Sequence, residues 1–118
     1  MSELSKAIAA SCARDAVQGE DGWFSQTFVF PLEFQGFLGH FPGRPILPAM
    51  VQMMAAAHVA SCWLGAMPDV RGVKQARFLT PVAPGMPMTV HARPQGPNAA
   101  EVRVMAGGHP VATFTLIF

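Results

Sequence analysis

One stretch of this sequence combines the groups that proton-transfer chemistry requires. It runs Gly39-His40-Phe41-Pro42-Gly43-Arg44-Pro45-Ile46-Leu47-Pro48, and its glycines and prolines exclude regular helix and strand. A helix is predicted to begin directly after it, so the first N–H groups, of Ala49 and Met50, lack helical acceptors and carry partial positive charge. An imidazole base beside such N–H groups can remove a proton next to a thioester carbonyl. The alternative is that His40 only hydrogen-bonds to backbone carbonyls of its loop.

The helix that must position these groups is the strongest element that the sequence predicts. It covers residues 49–64, begins after Pro48 and ends before Gly65 and Pro68. At 1.5 Å per residue it is about 25 Å long, enough to cross a small domain. Polar residues interrupt the apolar run, and Ala and Met outnumber Leu, Ile and Phe in it. The pattern therefore predicts a helix buried inside a protein and excludes a membrane span.

Strand patterns flank the helix on both sides. One is predicted over residues 23–34, and four follow the helix, at 70–81, 86–93, 100–106 and 111–118, separated by Pro and Gly turns. Residues 4–16 fit either a short helix or an edge strand. The order predicts an α+β fold in which an antiparallel sheet wraps the long helix. We expect a single domain over residues 1–118, with residues 1–20 unassigned.

The composition excludes several classes of function. The chain has 118 residues, 51% hydrophobic and 13% charged, with a formal net charge of +1, which argues against disorder. Its eight basic residues are scattered among the acidic ones, which argues against nucleic-acid binding. Two cysteines and the lack of a secretory signal pattern predict a cytoplasmic protein. The high apolar content of so short a chain predicts a second buried surface, and therefore a homo-oligomer.

Two segments resemble the β-hydroxyacyl-acyl-carrier-protein dehydratases. The Gly39 to Pro48 run resembles their active-site loop, and residues 73–85, Val-Lys-Gln-Ala-Arg-Phe-Leu-Thr-Pro-Val-Ala-Pro-Gly, resemble the strand and turn after their central helix. The resemblance covers residues 23–118 in element order. It implies the hotdog fold and a homodimer or higher homo-oligomer whose sites form between protomers. A heterodimer with a related hotdog subunit is the other arrangement it allows.

The same resemblance implies an activity in fatty acid or polyene-type acyl-chain biosynthesis. The enzyme would be a lyase that converts a (3R)-3-hydroxyacyl thioester into the trans-2-enoyl thioester. The substrate would be carried on the phosphopantetheine of an acyl-carrier protein or on coenzyme A, with no further cofactor and no metal. His40 would be the base that takes the α-proton, and the backbone N–H groups of Ala49 and Met50 would bind the thioester oxygen.

Position 54 departs from the family pattern. The family has Glu or Asp fourteen residues after the histidine, where it protonates the leaving hydroxyl, and this chain has Met54. Methionine cannot donate that proton, and no acidic residue lies between Glu33 and Asp69. His58 follows Met54 by four residues on the same helical face and is the candidate replacement, as proton donor or by orienting a water. The alternative is a core histidine that hydrogen-bonds to the backbone.

Four apolar side chains are candidates for a channel that holds the acyl chain: Phe41, Met53, Phe78 and Leu79. Ordinary packing is the equally weighted alternative for Phe41, Phe78 and Leu79. For methionines such as Met53, packing in the core is the favoured alternative. Two other functions also remain open at this point. The chain can be a catalytically degenerate hotdog subunit that binds acyl-carrier protein or partners an active dehydratase. A less favoured alternative is an acyl thioesterase, since one fold hosts several chemistries.

Overall fold

An antiparallel sheet and a long helix form the body of the protein, in a computed structural model that describes residues 3–13, 15–37 and 45–118. The strands lie in the order β1-β2-β4-β5-β6-β3. The described elements are helix α1 (Glu3–Ala10), β1 (Val17–Gln18), β2 (Phe24–Phe28), helix α2 (Ala49–Leu64), β3 (Gly72–Phe78), β4 (Met88–Pro94), β5 (Ala99–Ala106) and β6 (His109–Ile117). The α+β architecture predicted from the sequence is confirmed.

Helix α2 begins and ends where the sequence predicts. Pro48 caps it in an extended conformation, and Gly65 ends it in the left-handed conformation with φ 81°. The Gly65 N–H donates to the Ser61 carbonyl at 2.9 Å, which satisfies an otherwise free acceptor of the last turn. Proline at the start and glycine at the end fix the two bounds because each residue suits only that end of a helix.

The core lies between α2 and one face of the sheet, called here the inner face. α2 contributes small buried residues, among them Ala55, Ala56 and Val59, which let the helix approach the sheet closely. β4 and β5 contribute alternate residues, so Val90 and Val102 are fully buried. Helix α1 packs against α2 and buries Ile8. The period of two in the strands thus produces a buried inner face and a more polar outer face.

Two expectations about the first half of the chain change. The strand predicted over residues 23–34 ends at Phe28, because Pro31 starts a turn in which the Phe34 N–H donates to the Pro31 carbonyl at 2.9 Å. Phe30 and Phe34 are buried with ring centroids 4.6 Å apart, so these aromatic residues are core residues without being strand residues. The first twenty residues contain both a helix, α1, and a two-residue edge strand, β1.

Strand β3 forms the other edge of the sheet and, among the described strands, pairs with β6 alone. Its inner face carries Val73 and Phe78, which are 38% and 44% exposed, and Leu79 follows at 57%. An unpaired strand edge that carries exposed apolar side chains is a favourable place for association.

Candidate functional site

At the start of α2, two backbone donors have no acceptor among the residues that the structure describes. The N–H groups of Val51 and Gln52 both donate to the Pro48 carbonyl, at 3.1 and 3.4 Å. Within the described part of the chain, no backbone acceptor is found for the N–H groups of Ala49 and Met50, and Pro48 has no side chain that could cap them. These two N–H groups therefore remain available to a carbonyl oxygen or an anion.

The segment that leads into α2 is held in place by a backbone hydrogen bond from Leu47 to Val82. Leu47 is buried, and its N–H donates to the Val82 carbonyl at 2.8 Å. Val82 belongs to the segment that resembles the second dehydratase motif, so the two motifs meet at this hydrogen bond. His40 and Phe41 lie outside the described residues, and their assigned roles as base and channel residue stay predictions.

Met54 and Met53 lie on α2, one turn after its start. Both are half-buried and pack against the core. In the described residues from 45 to 68 there is no carboxylate, and both Glu33 and Asp69 are exposed. The acid that the family resemblance expects at position 54 has no substitute carboxylate on this helix.

His58 lies one turn after Met54 and is half-buried. Its ring meets the ring of Phe28 edge-on, with centroids 6.1 Å apart and an interplanar angle of 72°. Burial lowers the pKa of the imidazole below its ordinary value, because the charged form loses hydration. His58 is consequently neutral at neutral pH, and a neutral imidazole can hold a water or donate its single N–H.

The lowered pKa of His58 predicts a pH dependence of stability. Below about pH 6.5 the unfolded chain takes up a proton at this histidine more readily than the folded chain, so the free energy of unfolding decreases as the pH falls. Thermal unfolding at pH 7.5 and pH 5 measures the effect. We expect His58→Gln to lose less stability between these two pH values than the wild type. His109→Gln, at an exposed position, is the control and should behave as the wild type. An unchanged pH dependence in His58→Gln would contradict the prediction.

Gln52 is a polar residue of α2 that lies in the core. It is only 3% exposed, and its carboxamide oxygen accepts no hydrogen bond from the described residues. It is two residues from Met54, so it lies on a different helical face, and that face points into the core. A buried amide oxygen without a donor destabilises the fold by about 1–3 kcal/mol. The signal was present in the sequence as a glutamine on an otherwise apolar helical face.

The structure describes three of the four channel candidates, and within one chain they do not form an enclosed channel. Phe78 stacks on Phe114 with ring centroids 6.0 Å apart, at the open edge of the sheet. Leu79 is exposed just beyond the end of β3, and Met53 lies on the helix. A channel that contains all three therefore requires a further surface to cover this edge.

The described residues give two further findings. In residues 3–13, 15–37 and 45–118, no three His, Cys, Asp or Glu side chains are grouped so that they could hold a metal ion. No helix in the same residues is long and apolar enough to cross a membrane.

Comparison with known proteins identifies the family. The family model described as ApeI-like, ApeI dehydratase, matches residues 16–111, which is most of the chain. The chain belongs to the ApeI-like dehydratase family. The helix start with its free N–H groups, the position of Met54 and the second motif all lie within the matched residues.

Proteins that are similar in sequence are named as dehydratases. The chain is 33% identical over 94 residues to the 3-hydroxyacyl-[acyl-carrier-protein] dehydratase FabZ of Thermus thermophilus, a match that covers 70% of this chain and 66% of that protein. It is 35% identical over 66 residues to the FabZ protein of Novosphingobium aromaticivorans, covering 48% of this chain and 42% of that protein. The match thus spans slightly less than two thirds of the length of the Thermus protein and less than half of the Novosphingobium protein.

Solved structures establish the hotdog fold that the resemblance implies. The dehydratase heterocomplex ApeI:P from Xenorhabdus doucetiae contains a chain that superposes with a TM-score of 0.75 at 17% identity, covering 87% of this chain and 92% of that one. The PaaI protein from the phenylacetic acid degradation operon of E. coli superposes with a TM-score of 0.67 at 18% identity, covering 97% of this chain and 87% of that one.

Proposed function

We propose that this member of the ApeI-like family is a 3-hydroxyacyl-thioester dehydratase that forms the trans-2-enoyl thioester in acyl-chain biosynthesis. The observation that carries the proposal is the pair of N–H groups of Ala49 and Met50, which have no acceptor among the described residues, at the start of a buried helix that directly follows the His40 loop. Family membership supports the same chemistry. The substrate arrives on the phosphopantetheine of a carrier protein or on coenzyme A, and no other cofactor takes part.

The reaction requires a proton to be removed at C2 and a hydroxyl to leave from C3. His40 takes the proton from C2, and negative charge that develops on the thioester oxygen is stabilised by the N–H groups of Ala49 and Met50. The electrons of the broken C2–H bond form the double bond, and the hydroxyl leaves C3 with a proton as water. In this chain, where Met54 has no proton to give, the leaving hydroxyl takes the proton from a water that His58 orients, and the imidazolium of His40 reprotonates that water; the protonated form of His58 is the other donor.

A second copy of the chain completes the site in this proposal. The edge of β3 has backbone groups free to pair, and the apolar side chains of Met50, Phe78 and Leu79 are 56%, 44% and 57% exposed. Pairing of two β3 edges would remove these side chains from water and enclose a channel that includes Phe41 and Met53. This surface supports the expected homodimer.

Stereochemistry tests the proposed reaction. A site that holds the thioester oxygen at the helix start and one base at a fixed position can serve only one configuration at C3. The purified chain is therefore expected to form enoyl thioester from (3R)-3-hydroxybutyryl-N-acetylcysteamine and not from the (3S) compound, as followed by enoyl absorbance. Equal rates with both compounds would contradict a fixed base and would point to background elimination.

Variants of His58 test its assigned role. We expect His58→Ala to abolish the formation of enoyl thioester, because neither a side-chain donor nor a water site remains at position 58. His58→Gln retains an N–H donor of similar reach and is expected to keep part of the rate. Initial rates of enoyl formation, with thermal unfolding to verify folding, make the comparison. Equal rates in the two variants would remove His58 from the mechanism.

A second candidate function has a specific observation in its favour. The sequence has no carboxylate from residue 34 to residue 68, so a complete acid–base pair is absent from this helix. As a subunit of a heterodimer, the chain would supply His40 while a related hotdog subunit supplied the acid. Light scattering of the chain mixed with an acid-bearing hotdog dehydratase tests this alternative. A heterodimer whose rate exceeds the sum of the separate subunits and falls on His40→Ala supports it, and unchanged homo-oligomers exclude it.

A further inference from the structure

A continuous row of buried rings, called here the phenylalanine row, is formed by Phe28, Phe30, Phe34 and Phe37. Neighbouring centroids along the row are 6.0, 4.6 and 5.9 Å apart, and all four side chains are at most 5% exposed. At one end, the Phe28 ring meets the His58 imidazole edge-on at 6.1 Å. At the other end, Phe37 precedes His40 by three residues in the sequence. The row therefore connects His58 with the point at which the chain enters the His40 segment.

Gly36 is required by the ring of Phe34. The ring lies against the backbone of Gly36, so that a Cβ atom added there would be 2.2 Å from Cε2 and 3.0 Å from Cδ2 of the ring. Carbon atoms in contact are about 3.5–4.0 Å apart, so a side chain at position 36 must displace the ring by about 1 Å. Gly36 is not in the left-handed region, so this requirement is steric. Because Phe34 also contacts Phe30 and Phe37, the displacement is passed on to both neighbours.

One turn of the fold holds the chain on both sides of residues 38–44. The Gly85 N–H donates to the Phe30 carbonyl at 2.8 Å, and the Leu47 N–H donates to the Val82 carbonyl, also at 2.8 Å. Val82 and Gly85 both belong to the segment that resembles the second dehydratase motif. The phenylalanine row and the start of α2 are thus fastened to the same segment by separate hydrogen bonds, and the anchor of the helix start involves none of the rings.

We infer that the phenylalanine row, packed on Gly36, is the positioning element that fixes where the His40 segment leaves the core relative to His58. The inference rests on the proposed function, in which these two imidazoles act on one substrate. Proton transfer requires heavy atoms within about 2.6–3.2 Å of each other, and a misplacement of about 1 Å can decrease a rate by about 10²-fold. Gly36 is therefore a positioning residue, which touches no substrate and acts through the rings.

Histidine NMR signals test the row without reference to activity. In protein labelled with ¹³C at histidine Cε1, Gly36→Ala is expected to shift the signals of His40 and His58. His91 on the outer face of the sheet and His109 at the start of β6 are internal references and should keep their signals. Replacing each histidine in turn with glutamine assigns the four signals. Equal shifts in all four histidines, or none in His40 and His58, would overturn the inference.

Kinetics of the same variant separate positioning from binding. Gly36→Ala is expected to lower kcat for enoyl formation by at least about tenfold, with a smaller change in KM, because the helix start has its own anchor at Val82. Gly19→Ala is the matched control, since Gly19 has φ −102° and an added Cβ would lie 3.7 Å from the Trp23 carbonyl oxygen, an ordinary contact. It should match the wild type in both the rates and the histidine signals.

Replacing Phe34 with leucine tests the steric cause. Leucine lacks the Cε2 and Cζ atoms that lie closest to residue 36 together with Cδ2, so Gly36→Ala should have little further effect in a Phe34→Leu background. An equal decrease in kcat in both backgrounds would overturn the inference. If Gly36→Ala fails to fold, Phe34→Leu alone takes its place and should shift the signals of His40 and His58.

The two measurements distinguish failure of the inference from failure of the proposed function. Wild-type kcat and wild-type histidine signals in Gly36→Ala would overturn the positioning role and leave the dehydratase activity standing. A wild type that forms no enoyl thioester would contradict the proposed function, whereas the His40 and His58 signals would still support or overturn the row.

Discussion

Replacing Met54 with glutamate is expected to raise the rate of enoyl-thioester formation by roughly 10²-fold. A positioned general acid contributes about 10²–10⁴-fold to such eliminations, and position 54 is where the family resemblance expects that acid. The half-buried environment of Met54 can accept a carboxyl group and should raise its pKa, which favours the protonated form that donates. Steady-state rates with a 3-hydroxyacyl thioester, at equal fractions of folded protein, measure the gain.

Two control variants separate the acid from the change of shape. Met54→Gln has the same size and polarity as the glutamate but no transferable acidic proton, and we expect no comparable gain. Met53→Glu places the same acid on the neighbouring helical position, which points in another direction. If Met54→Glu is no faster than Met54→Gln, the assignment of position 54 to the leaving-group side of the site is wrong.

Replacing His40 with alanine is expected to decrease enoyl formation by at least about 10²-fold, to the level of the uncatalysed reaction. No other side chain has been assigned to take the C2 proton, so its removal eliminates the base from the mechanism. His109→Ala is the control, because it deletes an exposed imidazole at the start of β6, next to the β5–β6 turn. Retention of the wild-type rate by His40→Ala would assign the base to another residue, whereas loss of the same rate in His109→Ala would reveal a general effect on the protein.

The sequence predicts the helix more accurately than the strands, for a physical reason. The bounds of α2 depend on Pro48 and Gly65, whose backbone preferences act locally and need no tertiary contact. The strand predicted over residues 23–34 is too long because its aromatic residues favour burial in general. Phe30 and Phe34 meet that preference in a turn packed on the core, and only the fold reveals this.

Pairing between distant strands explains what the sequence could not provide. The two-residue strand β1 exists because Val17 pairs with Ser25, and no local sequence pattern predicts it. The bulge at Gln75 is likewise defined by the register between β3 and β6. Periodicity alone would place Lys74 and Arg77 on opposite faces, so the face that they share is known only from that register.

Some features of the candidate site were predictable from the sequence, and others depend on contacts between distant parts of the chain. The helix start with its free N–H groups at Ala49 and Met50 was predictable from Pro48 and the apolar run that follows. Two other features depend on burial by residues that are distant in sequence. One is the Gln52 carboxamide oxygen, which accepts no hydrogen bond from the described residues. The other is the lowered pKa of His58, whose ring meets that of Phe28. The proposed channel through Met53, Phe78 and Leu79 would need a second chain to cover it, and the sequence of one chain describes such a surface only indirectly.

The account is tested most directly by identifying the product that the purified wild-type chain makes from a (3R)-3-hydroxyacyl thioester. Mass spectrometry of the reaction, with His40→Ala treated in parallel, distinguishes loss of water from release of the free acid and thiol. We predict a trans-2-enoyl thioester, formed by the wild type alone and hydrated back to the starting compound when the enoyl thioester is supplied instead. Release of the 3-hydroxy acid and thiol, or no product above that of His40→Ala, would contradict the account.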